Sequence, residues 1–139
     1  MFAEPGKMTA TVTTSDEESS FAACDAITTT LQRYIDGARR GDSALMREVF
    51  LESARIRGSY GGNPVDWTLS DFLGLIDKHG PASGMTARIV MIDISGTAAA
   101  ARLEAKNWRG TRYTDFFVLL QVGANWRIAS KVFFAHSRA

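Results

Sequence analysis

The chain has 139 residues, of which 45% are hydrophobic, and its 16 Lys and Arg against 15 Asp and Glu give a formal net charge of +1. This length suits one domain with a single core that needs neither a disulfide nor a metal ion. Such a small charge gives no long-range attraction to nucleic acid or to an anionic membrane, so we expect neither as a partner. The single cysteine, Cys24, excludes an internal disulfide and favours a reducing compartment.

Targeting and membrane segments are not evident in the sequence. No apolar run reaches the roughly 18 residues that a membrane helix requires, and the first residues lack the basic start and apolar stretch of a signal peptide. We therefore predict a cytoplasmic protein. Residues 1–20 contain Pro5, Gly6 and a Thr-rich stretch, and they offer little to bury. We expect them to form a disordered tail before one domain over residues 21–139.

Two helices are predicted after the tail. Apolar residues recur at helical spacing from Ser20 onwards, and the basic residues that end at Arg40 complement the negative end of a helix. Ser43 can cap a second, shorter helix, which we expect to stop near Glu52. The apolar positions of these two helices are Ile27, Leu31, Tyr34, Ile35, Ala38, Leu45, Met46, Val49 and Phe50.

A short strand and a third helix follow. Small and apolar residues alternate with arginines over Ser53–Tyr60, which predicts a strand, and the glycine-rich stretch Gly61–Pro64 predicts a loop. Thr68 and Asp71 have the spacing of a capping box, which predicts the start of the third helix. The Gly80-Pro81 pair predicts its end, and its apolar positions are Phe72, Leu73, Leu75 and Ile76.

The remainder of the sequence predicts a meander of four antiparallel strands. Short turns at Ser95-Gly96, Arg109-Gly110 and Gly123-Ala124 separate stretches that are rich in β-forming residues. If each turn contains two residues, the pairing of the strands follows by counting, and alternate side chains lie on opposite faces of the sheet. The predicted strands are 88–94, 98–108, 111–122 and 125–136.

This counting sorts the side chains of the meander onto two faces. The face expected under the helices carries Val90, Ile92, Ala101, Leu103, Ala105, Thr114, Phe116, Val118, Leu120, Ala129, Lys131, Phe133 and Ala135. The opposite face carries Met91, Arg102, Glu104, Lys106, Trp108, Tyr113, Asp115, Phe117, Leu119, Trp126, Ile128, Val132, Phe134 and His136. The opposite face would expose large apolar side chains to water, and patches of that kind usually mark a partner surface. We therefore predict a homodimer that forms through the sheet.

Three stretches of the sequence resemble a known superfamily: YIDGARRGD at Tyr34–Asp42, YTDFF at Tyr113–Phe117 and WRIASKVF at Trp126–Phe133. With three helices and a terminal meander, the chain over Phe21–His136 resembles the nuclear transport factor 2-like superfamily. It is most similar to the SnoaL-like and "putative lumazine-binding" branch. The resemblance implies an α+β, cone-shaped, cystatin-like roll, with a pocket between helices and sheet that opens near a loop holding Trp67.

Lys131 is the strongest candidate for a residue of this pocket. The predicted pairing places it among apolar side chains, where an unpaired ammonium is costly and its pKa falls. Groups in such positions often have a function. The alternative is that Lys131 lies at the rim and extends its ammonium into water. The predicted ligand-binding residues are Tyr34, Trp67, Phe116, Lys131 and Phe133.

A catalytic set is also conceivable on the opposite face. Asp115, Tyr113 and His136 could combine a carboxylate, a phenol and an imidazole, which general acid–base catalysis uses. Ketosteroid isomerase, of the same superfamily, uses an Asp base with a Tyr and a protonated Asp, but no residue here matches its general base. The predicted pairing also sets Asp115 opposite Glu104 and near Lys106, which favours a structural charge network. His136 lies close to the chain end, where side chains are poorly held.

Other chemistries find little support. His79 and His136 are far apart in the sequence and belong to no cluster of metal-ligand spacing, so no metal site is predicted. The stretch Gly58–Asn63 lacks the lysine and the helix start of a phosphate-binding loop. Cys24 has no evident base to activate it. We expect no cofactor.

Three functions remain open from the sequence. The first is a small-molecule-binding protein with an apolar pocket, because a pocket requires only the fold. The second is a cyclase, dehydratase or isomerase that uses Asp115 or Lys131 as base and Tyr113 or His136 as proton donor. The third is a scaffold whose function is the dimer itself.

Overall fold

The computed structural model describes residues 14–136 and confirms the α+β class. This part of the chain folds into three helices that pack on one curved, mostly antiparallel sheet of six strands. The elements in chain order are α1 (Thr14–Arg40), α2 (Ser43–Arg47), β1 (Phe50–Tyr60), β2 (Asn63–Thr68), α3 (Leu69–His79), β3 (Thr86–Ser95), β4 (Ala98–Trp108), β5 (Thr111–Val122) and β6 (Asn125–Ala135).

The last strand lies inside the sheet. The spatial order is β2-β1-β6-β5-β4-β3, in which the β1–β6 pair is parallel and the other pairs are antiparallel. The four predicted meander strands are therefore present, and the returning β6 pairs with the first strand. Because β6 has a neighbour on each side, side chains on its helix-facing surface are surrounded by protein.

Helix α1 supplies one wall of the core. Its apolar positions Ile27, Leu31, Tyr34, Ile35 and Ala38 are buried, as the helical spacing predicts. The helix begins at Thr14, so the predicted boundary between tail and domain at residue 20 falls inside it. The rest of the predicted tail, residues 1–13, and the final residues 137–139 lie outside the described residues.

The second helix is shorter than its sequence pattern predicts. Asp42, not Ser43, caps α2, and its carboxylate accepts a hydrogen bond from the Leu45 N–H at 3.1 Å. The helix ends at Arg47, and Phe50 already belongs to β1, where it pairs with Ile128 of β6. Pairing with a distant strand therefore overrides the local helical pattern at Phe50.

The predicted loop after β1 contains a further strand. Gly61 and Gly62 form the turn with φ values of 59° and 80°, a region that glycine adopts without strain, and β2 then begins at Asn63. Trp67 consequently lies on a strand rather than in a loop. Thr68 and the Asp71 carboxylate form the predicted capping box, so the start of α3 is confirmed.

The predicted alternation is wrong for β5, because the β4–β5 hairpin contains a bulge. Trp108 pairs with Thr111, but Ala105 pairs with Tyr113, so β4 has an extra residue between the two pairs. Asn107, with φ at 57°, lies in this bulge. The shift reverses the two faces of β5. The helices cover Tyr113, Asp115, Phe117 and Leu119, whereas Phe116, Val118 and Leu120 lie exposed on the outer face.

Two more bulges adjust the neighbouring strands. On β6, Val118 pairs with Ser130 and Leu119 pairs with Ile128, so Ala129 is skipped. Both Ile128 and Lys131 are therefore buried under the helices, although simple alternation places them on opposite faces. On β3 the register shifts between Ile89 and Met91, and Val90 is exposed instead of lying under the helices as predicted.

Close approach of β1 to β6 requires a glycine at position 58. A Cβ built there would collide with the Phe133 carbonyl oxygen and lie 2.6 Å from the Phe133 ring, so we expect Gly58→Ala to lower the free energy of unfolding by about 1–3 kcal/mol. Gly74 in α3 is the matched control, because its Cβ would meet nothing within 4 Å. Gly74→Ala should stabilise by up to about 1 kcal/mol. Urea unfolding measures both changes, and equal effects of the two substitutions would contradict this account.

Candidate functional site

A cavity of about 520 Å³ opens between α3, the β1–β2 hairpin and the helix-facing side of β4, β5 and β6. Helix α3 contributes one side, because its apolar face turns inward after the capping box. The strands contribute the other sides, since the bulge in β4 turns Trp108 and Tyr113 inward and the β1–β2 hairpin adds Tyr60 and Trp67. Its aromatic lining consists of Tyr60, Trp67, Phe72, Trp108, Tyr113 and Phe133.

The aromatic side chains of the cavity pack against one another. The Trp67 ring lies nearly parallel to Phe72 and to Phe133, with centroid distances of 6.4 Å and 5.9 Å. The Tyr113 ring meets the edges of Trp108 and Phe133 at 5.4 Å and 5.8 Å. Ring pairs in these arrangements stabilise each other beyond the area that they bury. The cavity walls are therefore held in place by contacts among themselves.

Lys131 lies at the inner end of this cavity with only 3% of its surface exposed. Its ammonium nitrogen is 4.6 Å from the Phe72 ring centroid, 5.1 Å from Tyr34, and 5.2 Å from both Trp108 and Phe133. Aromatic faces attract cations at such distances. This attraction offsets part of the cost of removing the ammonium from water.

Behind the cavity, Lys131 contacts two fully buried polar groups. Its Nζ donates a hydrogen bond to Tyr34 Oη at 2.5 Å, and the Tyr34 hydroxyl donates to Asp115 Oδ2 at 3.4 Å. Nζ lies 3.8 Å from the same Oδ2. The other carboxyl oxygen, Oδ1, has no hydrogen-bond partner among the described residues. Lys131 thus joins the cavity to a short buried chain of a phenol and a carboxyl group.

Burial changes the proton affinities of all three groups. It raises the pKa of Asp115, and the Lys131 ammonium partly opposes this rise. It lowers the pKa of Lys131, and the Asp115 carboxylate partly opposes this fall. Burial and the negative charge of Asp115 raise the pKa of Tyr34 well above its ordinary value. The pKa values of Lys131 and Asp115 therefore move toward each other, which brings the charged pair and the neutral pair closer in free energy.

The predicted catalytic set does not come together. Asp115 lies under the helices and is fully buried, so the predicted surface network with Glu104 and Lys106 is wrong for this residue. His136 lies on the outer face, where its Nε2 is 2.9 Å from Thr114 Oγ1. Glu104 accepts from the same hydroxyl and forms ion pairs on that face without Asp115. Asp115 and His136 are therefore on opposite sides of the sheet.

The structure separates the predicted ligand-binding residues into three groups. Trp67, Lys131 and Phe133 line the cavity. Tyr34 lies behind the cavity and reaches it through Lys131. Phe116 lies on the outer face with 47% of its surface exposed, because the bulge in the β4–β5 hairpin reverses β5. Its predicted place in the pocket is therefore wrong.

The sequence interpretation missed two residues that contact Lys131. Phe72 was recognised only as part of the apolar face of α3, and Trp108 was placed on the outer face by the predicted register. Both rings lie close to the Lys131 ammonium. The signal available for Trp108 was Asn107, because asparagine accepts the left-handed backbone conformation that a bulge near a turn requires.

Two other kinds of site are not found in the described part of the chain. Over residues 14–136, no three His, Cys, Asp or Glu side chains are grouped in a way that could hold a metal ion. In the same range no helix has both the length and the apolar character needed to cross a membrane.

The fold and the cavity define a protein of the nuclear transport factor 2-like class, and solved structures agree. An NTF2-like protein of unknown function from Methylobacillus flagellatus KT is 34% identical, with a TM-score of 0.79 over 91% of this chain and 96% of its own. An NTF2-like protein of unknown function from Shewanella baltica OS155 is 32% identical, with a TM-score of 0.77 over 91% and 99%. The family model described as "putative lumazine-binding" matches residues 22–134, and the chain belongs to this family.

A more distant similarity extends to the fold alone. A ketosteroid isomerase-like protein from Erwinia carotovora atroseptica is 15% identical, with a TM-score of 0.62 over 81% of this chain and 95% of its own. No curated protein matches the chain.

Removal of the Lys131 ammonium should make stability depend on pH through Asp115. In Lys131→Met the folded-state pKa of Asp115 rises further, while that of the unfolded chain stays at about 3.9. The stability contributed by protonated Asp115 is complete below the unfolded pKa and is lost as the pH rises toward the folded pKa. We therefore expect the variant to be less stable than the wild type by about 3–5 kcal/mol near neutral pH, and by clearly less near pH 4.

Urea unfolding at both pH values measures this difference. Lys131→Met combined with Asp115→Asn is the matched control, because it removes the titrating carboxyl and should show no such pH dependence. A loss of stability in Lys131→Met that is the same at both pH values would contradict the coupling between the two residues.

Proposed function

We propose that the protein binds a flat, largely apolar small molecule in the aromatic cavity, with Lys131 donating a hydrogen bond to an acceptor atom at the inner end. The observation that carries this proposal is the position of Lys131. It is a buried ammonium that lines a cavity with mainly aromatic and aliphatic walls. Small-molecule sites commonly combine mostly apolar walls with a few polar groups that fix the orientation of the ligand.

The dimensions and chemistry of the cavity support a ring-shaped ligand. Its volume of about 520 Å³ falls within the range of small-molecule sites. Trp67 and Phe133 present nearly parallel rings, against which a planar molecule can stack. The family description names lumazine, which is itself a flat heteroaromatic compound with hydrogen-bond acceptors. The proposal for this chain is the ligand class and does not extend to lumazine in particular.

The ligand proposal predicts that substitutions in the cavity weaken binding and that a substitution on the outer face does not. Lumazine and naphthoic acid serve as probes, with affinities measured by isothermal titration calorimetry. We expect Trp67→Ala to weaken binding by about tenfold through lost stacking. Lys131→Met should weaken binding by about tenfold or more through the lost charge-assisted hydrogen bond.

Phe116→Ala is the matched control, because this aromatic ring lies on the outer face. It should leave both affinities unchanged. Failure of both probes to bind the wild type, or equal weakening by Phe116→Ala and Trp67→Ala, would overturn the proposed function.

A second candidate function is general acid–base catalysis on a ligand in the same cavity. The hydrogen-bonded chain of Lys131, Tyr34 and Asp115 favours it, because such a chain can hold and move a proton. This set replaces the one that the sequence suggested with Tyr113 and His136. Binding remains the leading proposal, since Lys131 lines the cavity whereas Tyr34 and Asp115 lie behind it.

We also propose that two copies of the chain associate through the outer face of the sheet. Seven large apolar side chains of β3, β5 and β6 on this face are between 39% and 52% exposed, and a partner would remove this apolar surface from water. They are Val90, Met91, Phe116, Val118, Leu120, Val132 and Phe134. Burying several of them at once is worth roughly 1.5–3 kcal/mol for each fully buried side chain.

A charge in the middle of this face should separate the two copies. Val118 lies on β5, away from the edges of the sheet, and Val118→Glu should shift the protein from dimer to monomer in sedimentation velocity experiments at micromolar concentration. Phe21→Glu is the control, because Phe21 is also exposed but lies on α1. A wild-type protein that sediments as a monomer would contradict this proposal.

A further inference from the structure

Lys131 differs from the other lysines in the described part of the chain. Lys78 and Lys106 are exposed, whereas Lys131 is buried beside a cavity, close to four aromatic rings, a phenol and a carboxyl group. The hydrogen bond from Lys131 to a bound ligand requires only that Lys131 carries its positive charge. The fully buried Tyr34 and Asp115 behind Lys131 add a second property, because they can accept a proton from the ammonium.

The hydrogen bonds define a path for this proton. Lys131 Nζ donates to Tyr34 Oη at 2.5 Å, and Tyr34 Oη donates to Asp115 Oδ2 at 3.4 Å. When the phenol proton moves to Asp115 and an ammonium proton moves to Tyr34, the result is a neutral amine, a neutral phenol and a neutral carboxyl group. No proton has to enter or leave the protein. Burial lowers the free energy of this neutral state relative to that of the ion pair, so the amine becomes accessible from the resting ammonium.

We propose that Lys131 is a nucleophile that captures an aldehyde or ketone in the cavity as a reversible imine. The inference rests on the proposed function, since it assigns the ligand a carbonyl group at the inner end of the same cavity. A neutral lysine amine in a desolvated pocket is the group that forms Schiff bases with carbonyl compounds.

The reaction balances with the groups at hand. The Nζ lone pair attacks the carbonyl carbon and forms a C–N bond while the C=O π bond breaks, and one proton then passes from the nitrogen to the oxygen to give a neutral carbinolamine. The carboxyl proton of Asp115, passed through the Tyr34 hydroxyl, protonates this oxygen, the C–O bond breaks, and water leaves. In total, an ammonium and a carbonyl give a protonated imine and water, with Asp115 ionised before and after.

The groups around Nζ can stabilise the protonated imine as well as assist its formation. The rings of Phe72, Trp108 and Phe133 can stabilise the positive charge of a protonated imine as they do that of the ammonium. Asp115 supplies the opposite charge. The same rings limit the access of water, which would hydrolyse the imine.

Reductive trapping tests the proposal on the whole protein. Naphthaldehyde is incubated with the wild type, sodium cyanoborohydride reduces any imine, and peptide mapping by mass spectrometry gives the label at each lysine. We expect Lys131 to be labelled at least about tenfold faster than Lys78 or Lys106, because its amine lies beside the cavity that holds the carbonyl compound, whereas the two exposed lysines lie in water. Naphthylmethanol has a similar shape without a carbonyl group, and it should bind in the cavity and block labelling.

Variants separate the nucleophile from its positioning residues. Lys131→Arg keeps the charge and should lose the label, whereas the control Lys106→Met should keep it. Tyr34→Phe should slow trapping by at least about tenfold while the affinity for naphthylmethanol is unchanged. If Tyr34 had only a structural role, Tyr34→Phe would change the trapping rate and the affinity for naphthylmethanol together. If Tyr34→Phe is trapped at the wild-type rate, the proposed proton path is overturned.

The outcomes distinguish this inference from the proposed function. If naphthylmethanol binds in the cavity but Lys131 is labelled no faster than Lys78, the imine proposal is overturned and the binding proposal stands. If Lys131 is labelled preferentially while naphthylmethanol does not bind, covalent capture stands and simple binding fails. If neither compound binds and no lysine is preferred, both proposals are overturned.

Discussion

The buried ammonium of Lys131 constrains the rest of this structure. A charge in that position is unfavourable unless other groups compensate for it, and three separate elements supply the compensation. Helix α1 provides the Tyr34 hydroxyl, β5 provides the Asp115 carboxyl, and α3 and the sheet provide aromatic rings. The same side chain closes the inner end of the cavity, so the packing of the core and the chemistry of the site depend on one residue.

Most of the fold could be predicted from the sequence, but the register of the sheet could not. The turns at Arg109-Gly110 and Gly123-Ala124 and the capping box of α3 have distinct local signals, and the elements lie close to their predicted places. The bulge at Asn107 does not change the apolar pattern of β5, because both of its faces are rich in large apolar residues. Alternation therefore could not decide whether Asp115 or Phe116 points toward the helices, and counting back from the turn gave the wrong face because it did not include the bulge in β4.

The sequence predicted the residues of the candidate site correctly only where their position depends on a single strand. Lys131 and Phe133 lie on β6, on the side that simple counting assigned, and both line the cavity. The partners of Lys131 come from α1, α3, β4 and β5, so their convergence depends on pairing and packing between distant parts of the chain. Counting along β5 consequently predicts a surface network for Asp115, and the helical pattern predicts only a core position for Phe72.

The protonation of Lys131 is the most direct test of this account. The four lysines of the sequence can be followed by NMR through the carbon next to each amine, in the wild type and in Asp115→Asn, as the pH is raised. We predict that Lys131 loses its proton at a lower pH than an ordinary lysine side chain, and at a still lower pH once the Asp115 carboxylate is removed. If Lys131 titrates as an ordinary lysine side chain does and does not respond to Asp115→Asn, the buried chain that we describe does not exist in solution.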